Sequence, residues 1–203
     1  MDSGADVRRV APAADRNKDA ILEVLREVLP AKVAHVVEVA AGTGQHAVYF
    51  GARLAQLNWQ TSDLPAQHAG IRQWLEEAGL ANVLPPLDLD VSADHWPSGD
   101  YDGVFSANTA HILSWRGVEA MFRGVGRVLT NGGVFCLYGP FNYGGRYTSE
   151  SNQEFDYWLH ERDPLSGIRD VDDLNVLAGA AGMQLQDDYA MPANNRILCW
   201  RKG

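Results

Sequence analysis

Residues 34–40, AHVVEVA, form a nearly unbroken apolar run that breaks into Ala41-Gly42-Thr43-Gly44 and then a helical pattern. A strand that is apolar on both faces must be covered on both faces, which is the condition of a parallel sheet flanked by helices. That requirement propagates along the chain. Ile21, Leu25, Val28 and Leu29 predict a helix over 18–29 stopped by Pro30. A helix is expected from Gln45 to Leu57, a strand ending at Asp63, and a helix over 66–80 with Gly79 just past its last turn. Strands follow at 83–91, made irregular by Pro85 and Pro86, and at 101–108. A helix over 117–129 is closed by Asn131-Gly132-Gly133 and leads into the apolar strand GVFCLYG. Alternation of this kind implies right-handed βαβ units. The last stretch, 183–202, reads as two strands with no helix between, hence an antiparallel pair.

No repeat, low-complexity tract or linker divides the 203 residues, so a single domain over 1–203 is expected. Residues 140–170 exceed an ordinary connection, and only NQEFDYWLHER within them looks helical, so they read as a lid-like insertion. With 17 basic against 26 acidic residues the net charge is −9. That balance lacks the electrostatic footprint of a nucleic-acid binder. The start has no secretory apolar segment and no run is long enough to span a membrane, so cytoplasm is expected. Cys136 and Cys199 sit in apolar strands and read as buried thiols. No His/Cys cluster has metal spacing, and no nucleophile elbow is present to seat a Ser-His-Asp triad.

In an open parallel sheet, ligands bind at the carboxyl ends of the strands, and the first such loop is the usual cradle. Here the loop fits two cofactors. Gly42-x-Gly44-x-x-Ala47 matches a dinucleotide fingerprint, while Glu38-x-Ala40-x-Gly42-x-Gly44 matches an adenosyl-methionine loop lacking its first glycine. Asp63, 19 residues beyond Gly44, suits a ribose, which both cofactors carry. The loop alone leaves the choice open, and a tight turn without ligand is the bland alternative.

The rest of the chain supplies the choice. VVEVAAGTG, the acid Asp63, LDLDV, YDGVFSANTAHIL and VGRVLTNGGVFCLYGP occur in an order that resembles class I adenosyl-methionine-dependent methyltransferases over nearly the whole length. LTNGG resembles the Leu-x-Pro-Gly-Gly turn before strand five of that fold. More narrowly, PAADRNKDAIL, GPFNYGGRYTSESNQEFDYWLHERDPLSGIRD and MPANN look like the methyltransferase-like protein 26 family, by origin a domain of unknown function, over about residues 8–202. The resemblance implies a Rossmann-like α/β fold, a seven-stranded mostly parallel sheet with an antiparallel last strand and helices on both faces. Ala40 departs from the pattern at its first glycine.

The implied cofactor is S-adenosyl-L-methionine. Gly42 and Gly44 would let backbone approach its methionine and ribose, with Ala40 beside them. Glu38 would face the ammonium, directly or through water. Asp63 would take the ribose hydroxyls, and Asp90 with the Val91 backbone the adenine, although Asp88 is an equally available acid. His46 would lie at a helix start near the cofactor. Residues 1–17 would fold over it, with Asn17 in that segment and Arg16 pairing with a carboxylate of cofactor or substrate. Asn108 and His111, after strand four, would point toward the transferable methyl. His111 is a candidate general base or a packing residue of the pocket wall. Tyr143, Arg146, Tyr147, Ser151 and Asn152 of the insertion, with Asn194 and Asn195, are the substrate-side candidates. Arg162-Asp163 and Arg169-Asp170 are expected to pair and fix the insertion.

The expected activity is methylation of a small molecule in an enclosed pocket, mainly by positioning. Alternatives are methylation of RNA or protein, a non-catalytic cofactor-binding module, and a nicotinamide enzyme.

Overall fold

A computed structural model describes residues 9–32, 34–93 and 95–203. The first eight residues of the expected N-terminal covering segment therefore lie outside the described residues. In chain order the first elements are α1 (Pro12–Val28), β1 (Ala34–Val39), α2 (Gln45–Arg53), β2 (Leu57–Asp63), α3 (Pro65–Ala78) and β3 (Val83–Asp88). Next come β4 (Tyr101–Ala107), α4 (Trp115–Val128), β5 (Leu129–Gly139), β6 (Phe141–Asn142) and α5 (Glu150–Arg162). The chain closes with β7 (Arg169–Asp170), α6 (Val171–Ala180), β8 (Met183–Met191) and β9 (Asn195–Lys202).

Seven strands pair in the order β3-β2-β1-β4-β5-β9-β8. The apolar run becomes β1, central between β2 and β4, and every β1 side chain but His35 is buried. Alternate residues supply two cores. Val36 packs with Ile21, Leu25, Phe50 and Trp59 on the side of α1 and α2. Val37 and Val39 pack with Val118, Met121, Phe122 and Leu174 on the side of α4 and α6. Strand β9 is antiparallel to both neighbours, so it alone reverses the sheet. Cys136 and Cys199 face each other across that reversal as buried thiols, Sγ to Sγ 3.6 Å.

Several boundaries differ from expectation. Helix α1 begins at Pro12, whose fixed φ and missing N–H suit a first turn, so PAADRN is helix rather than a separate strap. Helix α2 stops at Arg53 because Leu57 is already paired in β2. The Asn131-Gly132-Gly133 turn is absorbed into β5 as a bulge. Tyr101 pairs with Leu129 and Gly103 with Val134, and Gly132 takes φ 78° to accommodate the extra residues. Helix α6 had no counterpart in the sequence reading. The Asp170 side chain caps it by accepting from the Asp172 N–H, and Val171, Leu174 and Ala178 bury one face.

The insertion is pinned down by its own polar groups. The buried Asp156 carboxylate accepts from the Ile168 N–H at 2.6 Å and the Tyr147 hydroxyl at 2.7 Å. Gly167 N–H reaches the His111 carbonyl at 2.9 Å. Arg169 donates to the carbonyls of Ala110, Leu113 and Leu165. The expected Arg162-Asp163 and Arg169-Asp170 pairs are therefore corrected: Arg162 lies over the Trp158 ring, Asp163 accepts from the Leu165 N–H, and Asp170 accepts from the Gly145 and Asp172 N–H groups.

Candidate functional site

A cavity of about 440 Å³ opens at the carboxyl ends of β1 to β4, walled by Ala40, Gly42, Asp63, Asp90, Val91 and Asn108 among others. The loop after β1 turns on two left-handed residues in its wall, Ala40 at φ 56° and Gly42 at φ 60°. Such a φ costs an L-residue roughly 1–2 kcal/mol. A side chain at Gly42 would meet nothing within 4 Å, so open space lies in front of this backbone. Gly44 has a different duty. It caps α2 at φ 87°, and a Cβ there would stand 3.2 Å from the Ile71 Cα, so the glycine lets α3 pack close.

Asp63 ends β2 beside this loop. One oxygen accepts from the Gly42 N–H at 2.7 Å and the other from the Leu64 N–H at 2.7 Å. Burial raises its pKa against the lowering effect of those two bonds. The carboxylate thus fixes the loop and still faces the cavity. Asp90 lies on the wall and accepts from the Ser92 N–H at 2.8 Å, whereas Asp88 is an exposed strand-end residue outside it. Leu64 and Ile112 stand exposed on the wall beside buried Leu89 and Val91.

Glu38 lies behind the loop, not on the cavity wall. Its side chain shares a face with Val36, and its Oε2 accepts from the Trp59 indole N–H at 2.7 Å. Complete burial, opposed by that bond and reinforced by Asp63, raises its pKa to about 8.

A second cavity of about 430 Å³ lies toward β5 and the β8–β9 hairpin, and Asn108 is common to both walls. Arg16 and Asn17 of α1, Tyr138 at the end of β5, and Ala193 and Asn195 of the hairpin line it. Asn17 is oriented by His46, whose Nε2 lies 2.8 Å from its Oδ1. His46 stacks on Phe50, and burial, then Lys18, lowers its pKa to about 4, so it supports the wall through Asn17 as a neutral ring. The described non-glycine residues at positive φ are Ala40, Asn108, Ala193 and Asn194. The first three line these cavities, which is where backbone strain is commonly held for function.

The substrate-side set divides. Asn195 reaches the second cavity. Tyr143 instead donates to Asp188 at 2.7 Å, and Asp188 is also bound by Arg196. Arg146 and Tyr147 face a separate, shallow groove. Asn152 is buried and donates to Thr148 and the Asn194 carbonyl, while Asn194 and Ser151 bond to each other. His111 is on neither wall. Its ring packs edge-on to Phe155, and burial, then the Arg169 charge, lowers its pKa to about 4. Tyr138 was missed, though its position at the end of a parallel strand marks it. Ala193 carries no such mark.

The sheet order, the reversed β9 and the loop after β1 define the Rossmann-like class I methyltransferase fold. Solved structures share it: an O-methyltransferase family protein from Burkholderia thailandensis (TM-score 0.81, 16% identity, 95% of this chain and 58% of that one) and SibL in its apo form, an S-adenosylmethionine-dependent methyltransferase (0.78, 20%, 94% and 55%). A third is NcsB1, an O-methyltransferase from neocarzinostatin biosynthesis, in complex with S-adenosylmethionine and 2-hydroxy-5-methyl naphthoic acid (0.75, 15%, 94% and 55%). This chain spans little more than half the length of each. A family model described as a protein of unknown function, DUF938, matches residues 8–202, and the chain belongs to that family. Among the described residues, no helix is long and apolar enough to cross a membrane.

Proposed function

We propose that this chain is an S-adenosyl-L-methionine-dependent methyltransferase of the methyltransferase-like protein 26 type, acting on a small-molecule acceptor. The observation that carries the reading is the meeting of two cavities at Asn108, one suited to a nucleoside and one left for an acceptor.

The residues of the first cavity fit the cofactor. Asp63 has acceptor capacity for a ribose diol while anchoring the loop, and Asp90 and Val91 stand where an adenine edge can be read. Leu64, Leu89 and Ile112 offer apolar contact to its ring faces, and the space before Gly42 admits the methionine portion. Glu38 acts from behind the loop, as a buried negative charge available to an ammonium once ionised. Bound there, the cofactor supplies an electrophilic methyl on a positively charged sulfur.

The chain's own contribution is positioning. Asn108, held in a left-handed conformation at the junction, is fixed relative to both ligands. The β8–β9 hairpin and α1 wall the acceptor side and exclude water. His111 serves by packing the insertion against the loop after β4 and is not the base, because its ring is covered by Phe155. An acceptor that is already ionised when it binds needs no base from the protein. NcsB1, of similar fold, is solved with a small aromatic acid, which favours a small-molecule acceptor here.

Incubation with methyl-labelled cofactor and a metabolite extract tests the proposal. Label appearing on a small molecule, and lost in Asp63→Ala, is expected. Label appearing only on RNA or protein would overturn the acceptor class, and binding without any turnover would leave a cofactor-binding module.

A further inference from the structure

The polar groups of the second cavity are unequal in kind. Arg16 has no acidic partner among the described residues. Asn17 turns its oxygen to His46, and the Tyr138 phenol shares this wall with Asn17 and Arg16. Burial raises the pKa of that phenol against the lowering influence of Asn17 and of the Arg16 charge, so it remains a donor. The Asn108 carboxamide at the junction is unpaired among the described residues, its backbone N–H alone being bonded, to the Tyr138 carbonyl at 2.9 Å. Asn195 directs its N–H groups to the hairpin carbonyls of Pro192 and Ala193. Among the described residues no carboxylate lines the cavity, in a chain whose acids outnumber its bases 26 to 17.

A guanidinium without an acidic partner and a phenol, on a wall whose described residues include no acid, make a site for an anion. Arginine's planar fork matches the two oxygens of a carboxylate, and such charge-assisted bonds are the strong ones. Resting on the methyltransferase reading, we infer that the acceptor carries a carboxylate, seated on Arg16 and the Tyr138 hydroxyl so that the nucleophilic atom is presented at Asn108. The amino acid carboxylate of the cofactor is the other source of this chemistry. Arg16 lies on the wall of the β5 cavity and not on that of the nucleoside cavity, which favours the acceptor. His46 holds Asn17 on the same wall as the phenol.

The test uses benzoate and its neutral isostere benzamide as probes, titrated into the full chain saturated with S-adenosyl-homocysteine. Benzoate is expected to bind at least about tenfold more tightly than benzamide, the worth of one charge-assisted contact. Arg16→Gln should erase that preference while leaving S-adenosyl-homocysteine affinity within about twofold, and Arg16→Lys should restore only part of it. Equal binding of the two probes, or no benzoate binding up to about 50 mM, overturns the inference. So does a tenfold or greater loss of S-adenosyl-homocysteine affinity in Arg16→Gln with 5′-methylthioadenosine, which has no carboxylate, unaffected; the guanidinium would then belong to the cofactor. Failure of S-adenosyl-homocysteine to bind the unaltered chain would refute the methyltransferase reading instead. Benzoate titrated without it still reads the anion site.

Discussion

The loops at the ends of β1 to β4 and the insertion at 140–170 both carry acids and asparagines, and use them in opposite ways. In the first region the polar groups are held by backbone and left facing a cavity. Asp63 accepts two N–H groups and still borders open space, and Asp90 is braced by Ser92. In the second they satisfy one another. Asp156 absorbs Tyr147 and the Ile168 N–H, and Arg169 caps carbonyls of the loop after β4. A polar residue in a long insertion is as easily a staple as a ligand group, and composition does not separate the two.

Substitutions sharpen this contrast. Asp156→Ala strands a buried N–H and a tyrosine hydroxyl, so a loss of about 2–4 kcal/mol in urea unfolding is expected. Affinity for S-adenosyl-homocysteine should change by less than about threefold. A large loss of affinity would show that the insertion completes the cofactor site. Asp63→Ala should do the reverse, weakening S-adenosyl-homocysteine by about 30- to 150-fold in calorimetry, the value of hydrogen bonds to a charged acceptor. Its melting temperature should fall by less than that of Asp156→Ala. Equal affinity in Asp63→Ala would remove the ribose role.

Glu38 gives a pH dependence with a definite sign. Its pKa in the folded chain, about 8, lies above its ordinary value of 4.5, so its contribution to stability is complete below 4.5 and is lost as pH rises through 8. The same rise ionises the carboxylate and should tighten a ligand bearing an ammonium. Stability should therefore fall, and adenosyl-methionine affinity rise, between about pH 6 and about pH 9, and Glu38→Gln should flatten both slopes. The same slopes in Glu38→Gln would assign them to another group. His46 and His111, lowered to about 4, act oppositely: their contribution is lost as pH falls from 6.5 through 4.

The smallest effect belongs to Ala40→Gly. Relief of the left-handed alanine, roughly 1–2 kcal/mol, is offset by about 0.5–1 kcal/mol of added freedom in the unfolded chain. Stability should stay within about 1 kcal/mol, with S-adenosyl-homocysteine affinity equal or slightly tighter. A pronounced loss of affinity would mean that the Ala40 methyl itself touches the ligand.

The sheet was legible because burial on both faces dictates β1, and because strand ends place acids at fixed intervals. Asp63 and Asp90 could be located for that reason, and the structure separates Asp90 from Asp88. The antiparallel close was legible too, since no helix fits between Met183 and Lys202. Helix α6 was missed although Asp170, Val171, Leu174 and Ala178 carry a cap and an apolar face, because the preceding insertion obscured where it starts. The second cavity was the least legible part. It joins α1, the end of β5 and a hairpin far apart in the chain, and nothing local to Tyr138 or Ala193 announces that they meet. The motif brings His46 and Glu38 to this end of the sheet, but both stand behind the walls, a distinction set by which way a strand or helix turns its side chain.

Calorimetric titration of the full chain with S-adenosyl-homocysteine tests the central claim most directly. One-to-one binding with a Kd of about 1–100 μM, abolished or much weakened in Asp63→Ala and retained in Asp156→Ala, is the expected result. No binding at about 1 mM, or binding of NAD in its place, would contradict it.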